Sequence, residues 1–149
     1  MPSVLKNVLA FVVGIVVGGA VNMAIVVVGP MLIPPPEGVD MADMEKFAEN
    51  LKLLKPVNFI APWLAHAGGT LVGAFLAAKL AASHGMKLAV GVGAFFLLGG
   101  ITMVATYGGP IWFIVLDLLG AYLPMGYLGG LLAGAKGGPS PASTAQNSG

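Results

Sequence analysis

Two ionisable side chains stand inside long apolar stretches of the chain, where a charge is costly. His66 is the one acidic, basic or histidine residue in the range 56–78, and Asp117 is the one in the range 88–135. Ionisable residues at membrane depth indicate function by default. Because histidine titrates near neutral pH, an imidazole beside a carboxylate can bind a proton, a cation or a polar solute.

The positions of both residues predict that they lie at the same depth. His66 is nine residues past the expected start of its helix, and Asp117 is seven past Pro110. At 1.5 Å rise per residue, both would lie roughly 10–14 Å below the same surface. We therefore expect the two side chains to face the interior and to meet directly or through one water.

Other polar residues belong to the predicted cluster. Thr70 lies one helical turn after His66, and Asn22 and Thr102 occupy the outward halves of the first and third apolar stretches. Tyr122, five residues after Asp117, need not share its helix face. The cluster has a structural alternative, since a hydrogen-bonded pair can simply lock a bundle together.

Other kinds of site find little support in the sequence. The chain has no cysteine, and a metal site needs more ligands than one histidine and one aspartate. No serine lies near His66 in depth, so we assign no catalytic residue, no metal and no other cofactor. Without arginine and with a net charge of +1, the chain lacks the basic face of a nucleic-acid binder.

Composition places the chain in a lipid bilayer. Of its 149 residues, 57% are hydrophobic and 9% are charged, and the mean hydropathy is +0.92. Soluble domains carry about a quarter charged residues. Spanning helices need about 20 mostly apolar residues, and charge-free runs predict such helices near 6–30, 57–82, 87–106 and 111–135. The predicted fold is an all-α, four-transmembrane-helix bundle within a domain of residues 1–136.

Shorter segments complete the predicted layout. Apolar residues at spacings of three and four predict an external amphipathic helix over 41–54, lying along the interface. The tail at 137–149 is expected to be disordered. Lys79 and Lys87 flank a short hairpin, and this positive charge predicts that both termini are cytoplasmic.

Small residues recur at helical spacing and predict close helix packing. Pairing between copies of the chain is a second use of such stripes, so we also expect a homo-oligomer or a larger membrane complex. The predicted packing positions are Gly14, Gly18, Gly69, Gly73, Gly126, Gly130 and Gly134.

Three stretches carry a resemblance: Pro34–Asp40, Leu64–Thr70, and Trp112-Phe113 followed by Asp117. On these, the chain resembles uncharacterised small four-span proteins of the bacterial inner membrane, over most of residues 8–135. The resemblance implies fold and location but no reaction. Small multidrug-resistance transporters carry a glutamate in the first helix, and quinone-linked thiol oxidoreductases need cysteine; this chain has neither.

Two functional hypotheses follow from these patterns. The first is a small transporter or channel-like protein for a proton, an ion or a small polar solute, using His66 and Asp117. The second is a non-catalytic accessory or assembly subunit of a larger membrane complex. An integral-membrane enzyme ranks third, because no nucleophile accompanies the histidine. A polar cluster that lines a cavity would favour transport, and a closed core would favour the accessory role.

Overall fold

The computed structural model describes residues 1–136, so the predicted disordered cytoplasmic tail at 137–149 lies outside the described residues. Within them the chain is helical and has no strand. A 3-10 turn over Pro56–Phe59 leads into the third helix. The helices are α1 (Ser3–Leu32), α2 (Phe47–Leu51), α3 (Ile60–Leu80), α4 (Gly85–Tyr107), α5 (Ile111–Gly120) and α6 (Leu123–Leu132).

Four of the helical stretches are long and apolar enough to cross a membrane: Ser3–Leu32, Pro56–Leu80, Gly85–Tyr107 and Ile111–Leu132. They confirm the predicted all-α fold with four membrane-spanning segments. Consecutive stretches run in opposite directions. One end of the bundle, the terminal end, holds the start of α1, the α3–α4 hairpin and the end of α6. The opposite end, the loop end, holds residues 33–59 and 108–110.

Glycines bring the backbones of α1 and α3 into direct contact. A Cβ atom on Gly14 would lie 2.6 Å from the carbonyl oxygen of Gly73, and one on Gly18 would lie 2.6 Å from that of Gly69. No side chain fits at such distances, because non-bonded carbon and oxygen atoms need more than 3 Å. The four glycines therefore set the separation of the two helices.

The last helix packs through glycines in the same way, with one exception. Gly126 and Gly130 face Ala89 of α4, where a Cβ would lie 3.0 Å from the Ala89 carbonyl oxygen and 3.0 Å from its Cβ, respectively. Gly134 does not pack within the described residues 1–136, contrary to the prediction, because a Cβ there would meet no atom within 4 Å. Its φ of +79° follows the end of α6, and left-handed glycines commonly terminate helices in this way. In α6 the prediction omitted Gly129, which lies against the α3 backbone.

The external segment is less helical than predicted. The predicted helix over 41–54 is confined to Phe47–Leu51. The side chain of Asp40 accepts a hydrogen bond from the Ala42 N–H at 2.8 Å. The side chain of Asp43 accepts hydrogen bonds from the N–H groups of Glu45 and Lys46. Aspartate side chains that bond to nearby backbone compete with helix formation, so residues 40–46 form turns. Phe47 packs edge-on against Tyr107, with ring centroids 5.0 Å apart.

The fourth spanning segment is broken into α5 and α6, where a continuous helix over 111–135 was predicted. Pro124 stands at the start of α6. Its nitrogen cannot donate to the carbonyl of Gly120, and its ring clashes with that carbonyl. Helix α5 therefore ends at Gly120, and Ala121 and Tyr122 form a non-helical joint, buried in the bundle.

Candidate functional site

His66 and Asp117 meet through a direct contact between α3 and α5. The His66 Nδ1 atom lies 2.8 Å from Asp117 Oδ1 and 3.0 Å from Oδ2. Asp117 is 4% exposed, and the side chain of His66 is 30% exposed. The contact expected from their matched depth is present, while the function of the pair stays a prediction.

Tyr122 is the residue of this centre that the sequence did not indicate. Its hydroxyl donates a hydrogen bond to Asp117 Oδ2 at 3.1 Å, and its ring stacks on His66 with centroids 5.6 Å apart. A residue five positions along an unbroken helix would point elsewhere. The joint between α5 and α6 turns Tyr122 back toward Asp117. Pro124, four residues after Gly120, was the signal that could have indicated it.

We name His66, Asp117 and Tyr122 the polar centre. Tyr122 donates to Asp117, and with the imidazole proton on Nδ1 His66 donates to the same carboxylate. A carboxylate beside Nδ1 fixes the proton on that nitrogen. Nε2 is then the ring nitrogen that remains to accept a proton or a donor group.

A cavity of about 210 Å³ adjoins the polar centre. His66 and Tyr122 form one side of it, and Asn22 of α1 and Thr70 of α3 contribute further polar groups. Thr70 is buried and donates to the His66 carbonyl oxygen at 2.7 Å. The Oδ1 atom of Asn22 is buried without a hydrogen-bond partner among residues 1–136.

Thr102 does not belong to the cluster, contrary to the prediction. It lies on an exposed face of α4, and its hydroxyl donates to the Leu98 carbonyl oxygen of its own helix at 2.8 Å. Bonding to the preceding turn satisfies a threonine hydroxyl without any partner helix. Thr102 therefore needs no polar partner on another helix and does not have to face the side of the bundle that Asn22 faces.

Aromatic side chains separate the polar centre from the loop end. Phe59 is buried against Trp112 and Phe113, with ring centroids 5.4 and 4.7 Å away. Trp63 donates from Nε1 to the Leu116 carbonyl oxygen at 3.4 Å, which joins α3 to α5 beside Asp117. These contacts hold the centre in place from the loop side.

The centre offers few ligands to a metal. Across the described chain, residues 1–136, no group of three or more histidine, cysteine and acidic side chains is placed to hold an ion. The geometry provides an imidazole nitrogen that can accept a proton, a buried carboxylate and an adjoining cavity. One residue of the cavity lining, Asn22, has an amide oxygen without a hydrogen-bond partner among residues 1–136. These groups can hold a proton or bind a small molecule that donates hydrogen bonds.

Tyr122→Phe is expected to lower the stability of the protein. The change removes the hydroxyl that donates to Asp117, and weakening a buried hydrogen bond of this kind costs about 1–3 kcal/mol. Thermal unfolding in mild detergent measures the loss. Tyr127→Phe is the matched control, because Tyr127 is 49% exposed. Equal midpoints for the two variants would contradict the assigned bond.

Comparisons with known proteins do not extend this description. No protein-family model, no curated protein and no solved structure matches the chain.

Proposed function

We propose that the chain is a small transport protein of the bacterial inner membrane that moves a proton. The polar centre binds the transported species, and His66 accepts and releases the proton. The observation that carries the proposal is the buried His66–Asp117 contact at the wall of a cavity. If the His66–Asp117 pair served only to hold α3 and α5 together, it would need no cavity beside it.

The location of the centre within the spanning segments supports this role. Asp117 lies in the second turn of α5 and His66 in the second turn of α3, and both helices belong to spanning segments. A broken helix next to a buried ionisable group also occurs at the binding sites of membrane transporters. Here the break supplies Tyr122 to the centre.

The core on the terminal side of the centre favours a carrier over an open pore. Ala74 and Ala77 of α3 pack with Ala89 and Val92 of α4, and all four side chains are fully buried. The cavity does not continue through this cluster. Passage across the bundle therefore requires a rearrangement, which is the behaviour of a carrier.

Proton uptake by liposomes tests the proposal. The purified chain is reconstituted, a potassium gradient and valinomycin set an inside-negative potential, and a trapped dye reports internal pH. We expect uptake well above that of protein-free liposomes. Thr102→Val, on the exposed face of α4, should match the wild-type rate. Uptake equal to protein-free liposomes would contradict proton transport.

An accessory or assembly subunit of a larger membrane complex is the second candidate. The observation that favours it is the exposed flank of the cavity, where a partner helix could pack against Met103, which is 45% exposed. The predicted homo-oligomer has lost part of its support, since six of the seven predicted packing glycines have neighbours within the chain. Co-purification in mild detergent separates the candidates, because an accessory subunit would retain a fixed partner.

Topology gives a further prediction. Both termini are proposed to be cytoplasmic, with residues 33–59 outside. Because the chain contains no cysteine, single substitutions can be labelled on intact spheroplasts with an impermeant thiol reagent. Asp43→Cys should react, while Ser3→Cys and Ser83→Cys should react only after lysis. Labelling of Ser83→Cys in intact spheroplasts would reverse the proposed orientation.

A further inference from the structure

An unpaired acceptor belongs to Asn22, a residue that lines the cavity beside the polar centre. The Asn22 side-chain oxygen is buried and has no hydrogen-bond partner within residues 1–136. Leaving a buried polar atom unbonded costs about 1–3 kcal/mol, so such atoms indicate a missing partner. Asn22 and His66 both line the cavity. An unsatisfied amide oxygen on a lining residue calls for a ligand that donates a hydrogen bond.

The cavity opens between α1 and α4. On the terminal side of it these helices touch, because a Cβ on Gly91 would lie 3.2 Å from Phe11. At the level of the cavity the α4 wall is open: in the described chain a Cβ on the lining residue Gly99 would meet no atom within 4 Å.

The gap faces the bilayer. Gly99 and Met103 line the cavity and are exposed, and the lining includes no residue of the loop end. Gly99 lies eight residues from the end of α4, or roughly 12 Å at the helical rise. A ligand that reaches this gap approaches from within the hydrocarbon region.

The size and walls of the cavity fit an aromatic ring. A dry cavity of about 150 Å³ holds benzene, and this one measures about 210 Å³. The rings of Phe96 and Tyr122 form two of its walls, and Gly69, Gly99 and Gly100 leave room between them. A ring that carries a hydroxyl group would fill the space and donate to an acceptor.

We infer that the cavity binds a small phenol-like amphiphile that enters from the bilayer between α1 and α4, with its hydroxyl donating to Asn22. This inference goes beyond the proposed function, since it names a ligand that the same cavity takes from the bilayer. The hydroxyl satisfies the unpaired oxygen, and the alkyl part remains in lipid at the gap.

Photolabelling in liposomes tests the inference. The probe is an alkylphenol with a diazirine on its alkyl chain, and mass spectrometry of peptides locates the label. We expect label on cavity residues such as Met103, which 4-hexylphenol suppresses and its methyl ether, 4-hexylanisole, does not. Equal competition by phenol and ether, or label spread over the lipid-facing surface, would overturn the inference.

Two variants define the contact and the opening. Asn22→Leu removes the acceptor at similar volume, and labelling should fall by about tenfold, the effect of one hydrogen bond. Gly99→Leu should block the gap, and Gly19→Leu is its matched control, since neither position has a neighbour within 4 Å in the described chain. Unchanged labelling of Asn22→Leu or Gly99→Leu would contradict the assigned site.

A water-soluble competitor and a separate readout complete the design. If 4-hydroxybenzenesulfonate competes as strongly as 4-hexylphenol, the ligand comes from water and lateral access is wrong. Proton uptake without phenol-specific labelling would overturn this inference and leave the proposed function standing. Phenol-specific labelling without proton uptake would overturn the proposed function and leave the binding site standing.

Discussion

Asp117→Asn is expected to abolish proton uptake into liposomes while the protein remains folded in the membrane. The amide keeps the size of the side chain and can still accept a hydrogen bond from His66 or Tyr122. It carries no charge, however, and cannot hold the imidazolium that forms when His66 takes up a proton. Positioned acid–base groups contribute about 10²-fold or more to proton transfer, so uptake should fall to the protein-free level.

The stability of the same variant separates transport from packing. If the centre only locks the bundle, Asp117→Asn should leave uptake unchanged and lower the thermal midpoint in detergent. Thr102→Val controls for reconstitution, because its hydroxyl bonds within its own helix. An Asp117→Asn variant that transports protons at the wild-type rate would contradict the assigned role of the carboxylate.

Gly18→Val is expected to disrupt the bundle by forcing α1 away from α3. A Cβ on Gly18 would stand 2.6 Å from the Gly69 carbonyl oxygen and 3.0 Å from the Phe96 ring. The nearest atom belongs to backbone and cannot rotate away. We expect a loss of roughly 3 kcal/mol, at the upper end of the usual cost of overpacking, measured by thermal unfolding in detergent.

The adjacent glycine supplies a matched control on the same helix. Gly19→Val makes the same chemical change, and within residues 1–136 its Cβ would meet no atom within 4 Å. Both changes alter helix propensity equally, so the difference between them reports the contact with α3. Similar midpoints for the two variants would mean that α1 and α3 are not packed through Gly18.

The spanning segments could be predicted because lipid imposes a simple requirement. A helix that crosses the bilayer needs a long run without charge, and the chain contains such runs between its lysines. The depth of His66 and Asp117 followed from the same counting, since helical rise is constant. Glycine spacing likewise indicated that Gly14 and Gly18 lie in a close helix contact, although it did not indicate that the partner is α3.

Helix rotation could not be predicted in the same way. In a soluble protein the polar face of a helix points to water, but here the outward and inward faces are both apolar. The sequence therefore placed Thr102 in the cluster, although it lies on an exposed face. The position of Gly134 was misjudged for a related reason, because glycine spacing does not distinguish a packing residue from a helix terminus.

Local backbone chemistry accounts for the other differences. Proline is tolerated within membrane helices, so Pro124 alone did not indicate that the fourth span divides and delivers Tyr122 to the centre. In the external segment the apolar spacing predicted a longer helix, while the side chains of Asp40 and Asp43 favoured turns. Both outcomes depend on competition between hydrogen bonds, which apolar periodicity does not describe.

The distance between His66 and Asp117 in lipid tests the central claim most directly. Solid-state NMR of the reconstituted chain, with ¹⁵N in histidine and ¹³C in aspartate, measures the dipolar coupling between the imidazole nitrogens and the Asp117 carboxyl carbon. The 2.8 Å separation of Nδ1 and Oδ1 predicts a strong coupling to one ring nitrogen, absent in His66→Gln. A coupling too weak for hydrogen-bond contact would show that the polar centre does not exist in the membrane.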